Sequence, residues 1–236
     1  MDAALSNAGS SRISPFGRQL LQADEAEFKR LLRISTDTFV DEGGNSWRNY
    51  AAALSADQVK FGTQSLLTTS GTIQSAHPLT FGDDPFTVSC WAYLGTASDT
   101  GWIFRAYGTQ ASFGFYRGKT NNVTDWWIKP YGGTTALAAL GSTYKSITRN
   151  KWYHFELTYN GNGSVKFFLN GALMYTWSKT INREARRIIW GYQAGYIDEC
   201  RILDGICEHT AAFTRPSDKY SFDDYPDNTL VLLHFE

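Results

Sequence analysis

The chain has 236 residues, a net charge of −1 and 19% charged residues, so it offers no basic field of the kind that nucleic-acid binding requires. Aromatic residues make up 15%, with 8 Trp and 21 Gly, a composition that suits strands and tight turns better than a helical bundle. A chain of this length buries enough surface to need no disulfide or metal staple, and no apolar run approaches the ~20 residues of a membrane span.

Residues 1–30 read differently from the rest. The opening stretch, MDAALSNAGSSRISPFGRQLLQ, has no basic region followed by an apolar one, so no secretion signal is expected in it. Asp24 followed by Glu27 marks a helix start with a capping box, and Leu21, Phe28, Leu31 and Leu32 fall near one helical face. A helix this short is marginal alone, so that face is expected to be a docking or oligomerisation surface.

From Leu31 onward, runs of four to nine residues are separated by Gly, Asn, Asp and Pro clusters. In FTVSCWAYL, Phe86, Val88, Cys90, Ala92 and Leu94 share one face, opposite Thr87, Ser89, Trp91 and Tyr93. In WYHFELTYN, Tyr153, Phe155, Leu157 and Tyr159 oppose Trp152, His154, Glu156 and Thr158. SVKFFLNGALMYTW predicts two strands joined by a hairpin at Asn170-Gly171. No strand–helix–strand rhythm appears, which predicts antiparallel rather than parallel sheets. The second faces, carrying Trp91, Tyr93, Trp152 and Phe168, must be covered by loops or serve as a binding surface. Cys90, Cys200 and Cys207 lack metal-ligand spacing and are read as free thiols, which suits folding in a reducing compartment.

FGTQSLL, FTVSCWAYL, KWYHFELTY, VKFFLNG and GYIDECRILDGICEHTAAFTRP occur in that order. Together they resemble the laminin-G-like, concanavalin A-like jelly-roll domains of bacterial surface proteins and bacteriophage virion proteins. LLRISTDTFVDEGG and NTLVLLHFE look like the adjacent terminal strands of such a domain. The resemblance covers residues 31–236 and implies an all-β antiparallel sandwich behind an N-terminal arm of residues 1–30. That fold hosts lectins, glycanases, adhesion modules and structural pieces, so it does not fix a function.

The chemistry in the sequence is sparse. Asp198 and Glu199 are neighbours in a strand-like run, and alternation should send them to opposite faces, away from a shared glycosidic bond. The Glu-x-Asp-x-Glu run of glycanases on this sandwich is absent, as are a nucleophile elbow, a phosphate loop and a zincin motif. His77, His154, His209 and His234 are scattered. No cofactor is expected; calcium, which the resemblance raises, would fall to loop carboxylates, with Asp83 and Asp84 as candidates and Asp41–Glu42 and Asp223–Asp224 beside them. Each pair also reads as an ordinary turn. Stacking and hydroxyl-binding residues concentrate at 115–133: Tyr116, Arg117, Asn121, Asn122, Asp125, Trp126, Trp127 and Tyr131.

The expectation is therefore a non-enzymatic module of a phage-type virion, a tail, fibre or capsid-decoration protein. Its arm would bind other virion proteins in an oligomeric particle, and its sandwich would face host glycans or a partner protein. The alternatives are a bacterial surface adhesin, a purely structural virion protein, and a glycan-degrading enzyme.

Overall fold

A computed structural model of the chain describes residues 38–69, 71–95, 101–109, 112–119, 126–132, 145–191 and 195–236, with the backbone alone along 117–119, 126–132 and 145–147. The N-terminal arm, with Leu21, Phe28, Leu31 and Leu32, lies outside the described residues. In chain order the strands begin with β1 (Thr38–Val40), β2 (Ser46–Tyr50), β3 (Ala53–Ser55), β4 (Ser65–Leu67), β5 (Thr72–Ser75) and β6 (Leu79–Phe81). Next come β7 (Phe86–Leu94), β8 (Gly101–Tyr107), β9 (Phe113–Lys119), β10 (Trp126–Gly132), β11 (Lys145–Ile147) and β12 (Trp152–Tyr159). The last are β13 (Ser164–Leu169), β14 (Ala172–Ser178), β15 (Glu184–Gly191), β16 (Gly195–Asp204) and β17 (Thr229–Leu233).

Among the described residues these strands form two sheets. Sheet A runs β1-β2-β5-β15-β8-β9-β10-β11, with β6 on β15; sheet B runs β14-β13-β12-β7-β16-β4-β3, with β17 on β16. Every strand pair in them is antiparallel. The alternation read from the sequence fixes which side faces inward. Phe86, Val88, Cys90, Ala92 and Leu94 of β7, and Phe155, Leu157 and Tyr159 of β12, are buried between the sheets. Sheet A answers with Phe104 against Trp190, ring centroids 4.4 Å apart, and with Phe115 against Phe155 at 5.6 Å. The terminal segments meet as expected: the Glu42 amide donates to the Leu232 carbonyl at 3.1 Å, joining the two sheets beside β1 and β17. The three cysteines are free, Cys90 and Cys200 buried and Cys207 half-buried.

The predicted hairpin forms where the sequence places it. Asn170 and Gly171 have φ of 52° and 79°, the pair of positive values that a type I′ turn requires. A Cβ on Gly171 would also stand 2.0 Å from the Phe213 carbonyl oxygen, in the segment that crosses over sheet B. Gly171→Ala is therefore expected to lower stability by about 1–3 kcal/mol through strain and overpacking. Urea unfolding checks it; an unchanged midpoint would show that the crossing segment does not bear on the hairpin.

Candidate functional site

The two outer faces of the sandwich differ in kind. On sheet B the outer face is buried under the segment 205–225, which follows β16. Alternation would split Asp198 and Glu199 between faces, and here the structure corrects the sequence reading. Asp198 pairs with Trp91 of β7 but Arg201 pairs with Ser89, so the register slips, and Glu199 adopts φ of 51°. This bulge adds a residue to the strand and turns Asp198, Glu199 and Arg201 to the same outer side. Both carboxylates are spent on holding the chain. Asp198 accepts from the amides of Lys60 and Phe61 at 3.2 Å each and of Glu199 at 3.0 Å. Glu199 accepts from the Tyr220 amide at 2.8 Å and lies 2.8 Å from His234 Nδ1. At 1% and 2% exposure neither is open to a saccharide.

Three histidines that look scattered in the sequence gather on this face. His154 Nε2 lies 2.6 Å from the Tyr220 hydroxyl, and His209 Nδ1 lies 2.8 Å from Glu156 Oε1 while its ring stacks on Phe213 at 3.6 Å. His234 joins Glu199 to Glu42, which is 3.4 Å from its Nε2. Arg201 pairs with Glu208 and lies 3.8 Å over the Tyr220 ring. Trp91 is buried beneath Lys60 and Arg215, and Phe168 beneath Phe213. Toward the far end, Tyr93, Trp152 and Tyr196 stay half-buried in mutual edge contacts. Of the two options open in the sequence, cover by a loop is the one the structure takes for most of this face.

Burial sets the titration here. It pushes Asp198 up to about 7, with the Phe61 amide offsetting part and the Glu199 charge adding to it. It pulls His154 down to about 3, helped by the Arg201 charge. Burial opposes charge on His209 and His234 too, but the adjoining carboxylates of Glu156 and Glu199 outweigh it and raise both. A carboxyl that keeps its proton up to about pH 7 in the fold, against 3.8 ordinarily, stabilises the fold below 3.8 and loses that contribution as pH rises through 7. The raised histidines act in the same direction, losing theirs above 6.5. His154 opposes them: its contribution is present above 6.5 and lost as pH falls toward 3. The melting temperature is expected to fall as pH rises from about 6.5 through 7, less steeply in Asp198→Asn. A rise across that window would contradict these assignments.

The glutamates Glu156 and Glu208 with His209 are a cluster of metal-ligating types, their atoms within 4.8 Å of one another. Two carboxylates and one imidazole fall short of the six to eight oxygens calcium takes, and His209 and Arg201 already balance their charge. The loop candidates lie elsewhere. Asp83 and Asp84 are exposed, and Asp84 faces Arg183 at 3.3 Å. Asp41 accepts from Trp47 Nε1 at 2.9 Å and from the Asn45 amide. Asp224 closes a capping box with Ser221 around the short 3-10 turn Phe222–Asp224, whose second residue is Asp223.

The outer face of sheet A is aromatic and, among the described residues, less covered than that of sheet B. β8 carries Trp102, Arg105 and Tyr107 on it, opposite the buried Phe104 and Ala106. Trp102 meets Tyr116 of β9 edge-on at 5.1 Å, and the Arg105 guanidinium lies 4.9 Å from the Trp102 ring and 4.8 Å from the Tyr107 ring. Tyr107 is 53% exposed. Of the candidates read from the sequence, Tyr116 stands in this group. Arg117, Trp126, Trp127 and Tyr131 are placed by backbone on β9 and β10, Tyr131 pairing with Gly114 and Trp127 with Gly118. Asn121, Asn122 and Asp125 lie outside the described residues.

Residues 67–208 match the family model of the concanavalin A-like lectin/glucanase superfamily, laminin-G type. The chain belongs to that superfamily. No curated protein matches it in sequence. Among solved structures it is similar to domain 4 of AbnA, an extracellular arabinanase from Geobacillus stearothermophilus, in complex with arabinotriose, at 18% identity over 66% of this chain and 76% of that one, TM-score 0.48. It is also similar to the botulinum neurotoxin serotype D binding domain, at 16% identity over 81% of this chain and 48% of that one, TM-score 0.46. The cellulose-induced protein Cip1 follows at 15% identity, 66% and 90% coverage and TM-score 0.46. The chain spans less than half of the toxin domain's length. A superfamily that names both lectins and glucanases leaves the chemistry to be argued from the site.

Proposed function

We propose that this laminin-G-type domain is a non-enzymatic binding module that takes a saccharide on the outer face of sheet A. The observation that carries the reading is the group Trp102, Arg105, Tyr107 and Tyr116. These are ring faces and a guanidinium held by one another on a rigid sheet, the combination that stacks on sugar rings and bonds to their hydroxyls. The non-enzymatic part is supported by Asp198 and Glu199, which are buried and engaged by backbone donors. The setting we assign is a phage-type particle, in which the sandwich faces host glycan or a partner protein; free thiols suit a chain that folds in a reducing cytoplasm. A bacterial surface adhesin would use the same face.

Trp102→Ala is expected to weaken binding about tenfold or more to whichever oligosaccharide in a panel the wild type binds. Trp152→Ala, on the other sheet, should leave that affinity alone. Equal affinities for wild type and Trp102→Ala would remove this face from the binding role. Detecting cleavage of a bound glycan would end the non-enzymatic reading.

A further inference from the structure

The chain as a whole is nearly neutral, yet the outer face of sheet A is not. A continuous cross-strand row runs Arg48 on β2, Gln74 on β5, Ile189 on β15, Arg105 on β8 and Gly114 on β9. One step along, Arg187 of β15 pairs across to Tyr107 of β8. Arg48 and Arg187 are exposed, and Arg105 is half-buried. Among the described residues, no Asp or Glu shares the outward side of β2, β5, β15, β8 or β9. Glu184, at the start of β15, pairs with Arg186 on the inward side at 3.1 Å and accepts from Thr109. Arg105 lies 4.8 Å from the exposed Tyr107 ring, whose strand position pairs with that of Arg187. The Arg187 guanidinium donates to the Gln74 amide oxygen of β5 at 3.1 Å, and Arg48 stands about 14 Å from Arg105 across three strand spacings.

With no carboxylate beside them among the described residues, the three guanidiniums make this face locally positive, which draws in anions. A planar guanidinium matches a carboxylate or sulfate edge-on with two parallel hydrogen bonds. Arg105 is already held between Trp102 and Tyr107, so less ordering is needed when such a ligand arrives. We infer that the saccharide taken by this face is an anionic one, a chain bearing uronate or sulfate groups, with Arg105 and Arg187 gripping the acidic group and the neighbouring rings stacking on the sugar. This inference rests on the saccharide reading above and adds the class of ligand.

The experiment compares calorimetric binding of oligogalacturonate, hyaluronan fragments and sulfated oligosaccharides with their carboxyl-reduced or desulfated neutral counterparts, at low and at physiological salt. At least one acidic chain should bind about tenfold or more tighter than its neutral counterpart, and the difference should shrink with salt. Arg187→Gln, at an exposed position, should reduce that preference severalfold while leaving the neutral counterpart's affinity unchanged. Arg105→Gln should reduce the preference as well and also weaken the neutral counterpart, because Arg105 bonds to sugar hydroxyls in the same site. Equal binding of acidic and neutral forms would overturn the anionic assignment and leave the saccharide reading standing. Binding of neither would overturn both. A preference that persists in the folded double variant would also overturn it, since the two arginines would not be its source.

Discussion

Replacing Arg201 by alanine is expected to cost about 3–5 kcal/mol, one of the two largest losses from a single change that this structure implies. Arg201 is buried, pairs with Glu208 and stacks over Tyr220, so it ties the crossing segment to β16. Alanine removes the stack and strands a largely buried glutamate. The double change Arg201→Met with Glu208→Leu should recover much of the loss, because the charge to be compensated goes with the pair. Urea unfolding of the three variants separates these cases. A loss under about 1 kcal/mol for Arg201→Ala would mean that the pair behaves as a surface salt bridge.

Trp91→Ala is expected to cost a similar ~3–5 kcal/mol, although Trp91 points away from the main core. The indole is 1% exposed, with His154 5.2 Å and Phe61 5.9 Å away by ring centroid and the Lys60 ammonium 4.1 Å over its face. Sheet B therefore has a second packed layer under residues 205–225. Trp102→Ala on sheet A, half-buried rather than buried, should cost well under half as much in the same measurement. Similar losses for the two would mean that the outer face of sheet A is packed as tightly as that of sheet B.

The parts of the fold that depend on neighbouring residues were legible in the sequence. Period-two alternation in Phe86–Leu94 and Trp152–Tyr159 names the inward residues correctly, because each strand has one face on the core. Asn170-Gly171 names its turn because positive φ is a property of those residues. The bulge at Glu199 was not legible. A glutamate carries no signal for φ of 51°, and what holds it there is the Tyr220 amide, 21 residues on, and His234, 35 residues on. A separation of 53 residues likewise hid the pairing of His209 with Glu156. On sheet A, the aromatic run 115–133 pointed to β9 and β10, while Trp102 and Arg105 passed unremarked. A register shift between Trp102 and Phe104 breaks the alternation that would have marked GWIFRAY as a two-faced strand. The signal that remained was Arg105 and Tyr107 alternating with Phe104 and Ala106.

Residues 205–225 cover most of the outer face of sheet B, and the proposed saccharide site lies on the outer face of sheet A. Hydroxyl-radical footprinting with and without a bound acidic oligosaccharide reads side-chain exposure at both faces in one experiment. The account predicts that the ligand shields Trp102, Tyr107 and Tyr116 while Trp152, Tyr93 and Tyr196 react as before. Shielding of Tyr93, Trp152 and Tyr196 with Trp102 and Tyr107 unchanged would contradict it.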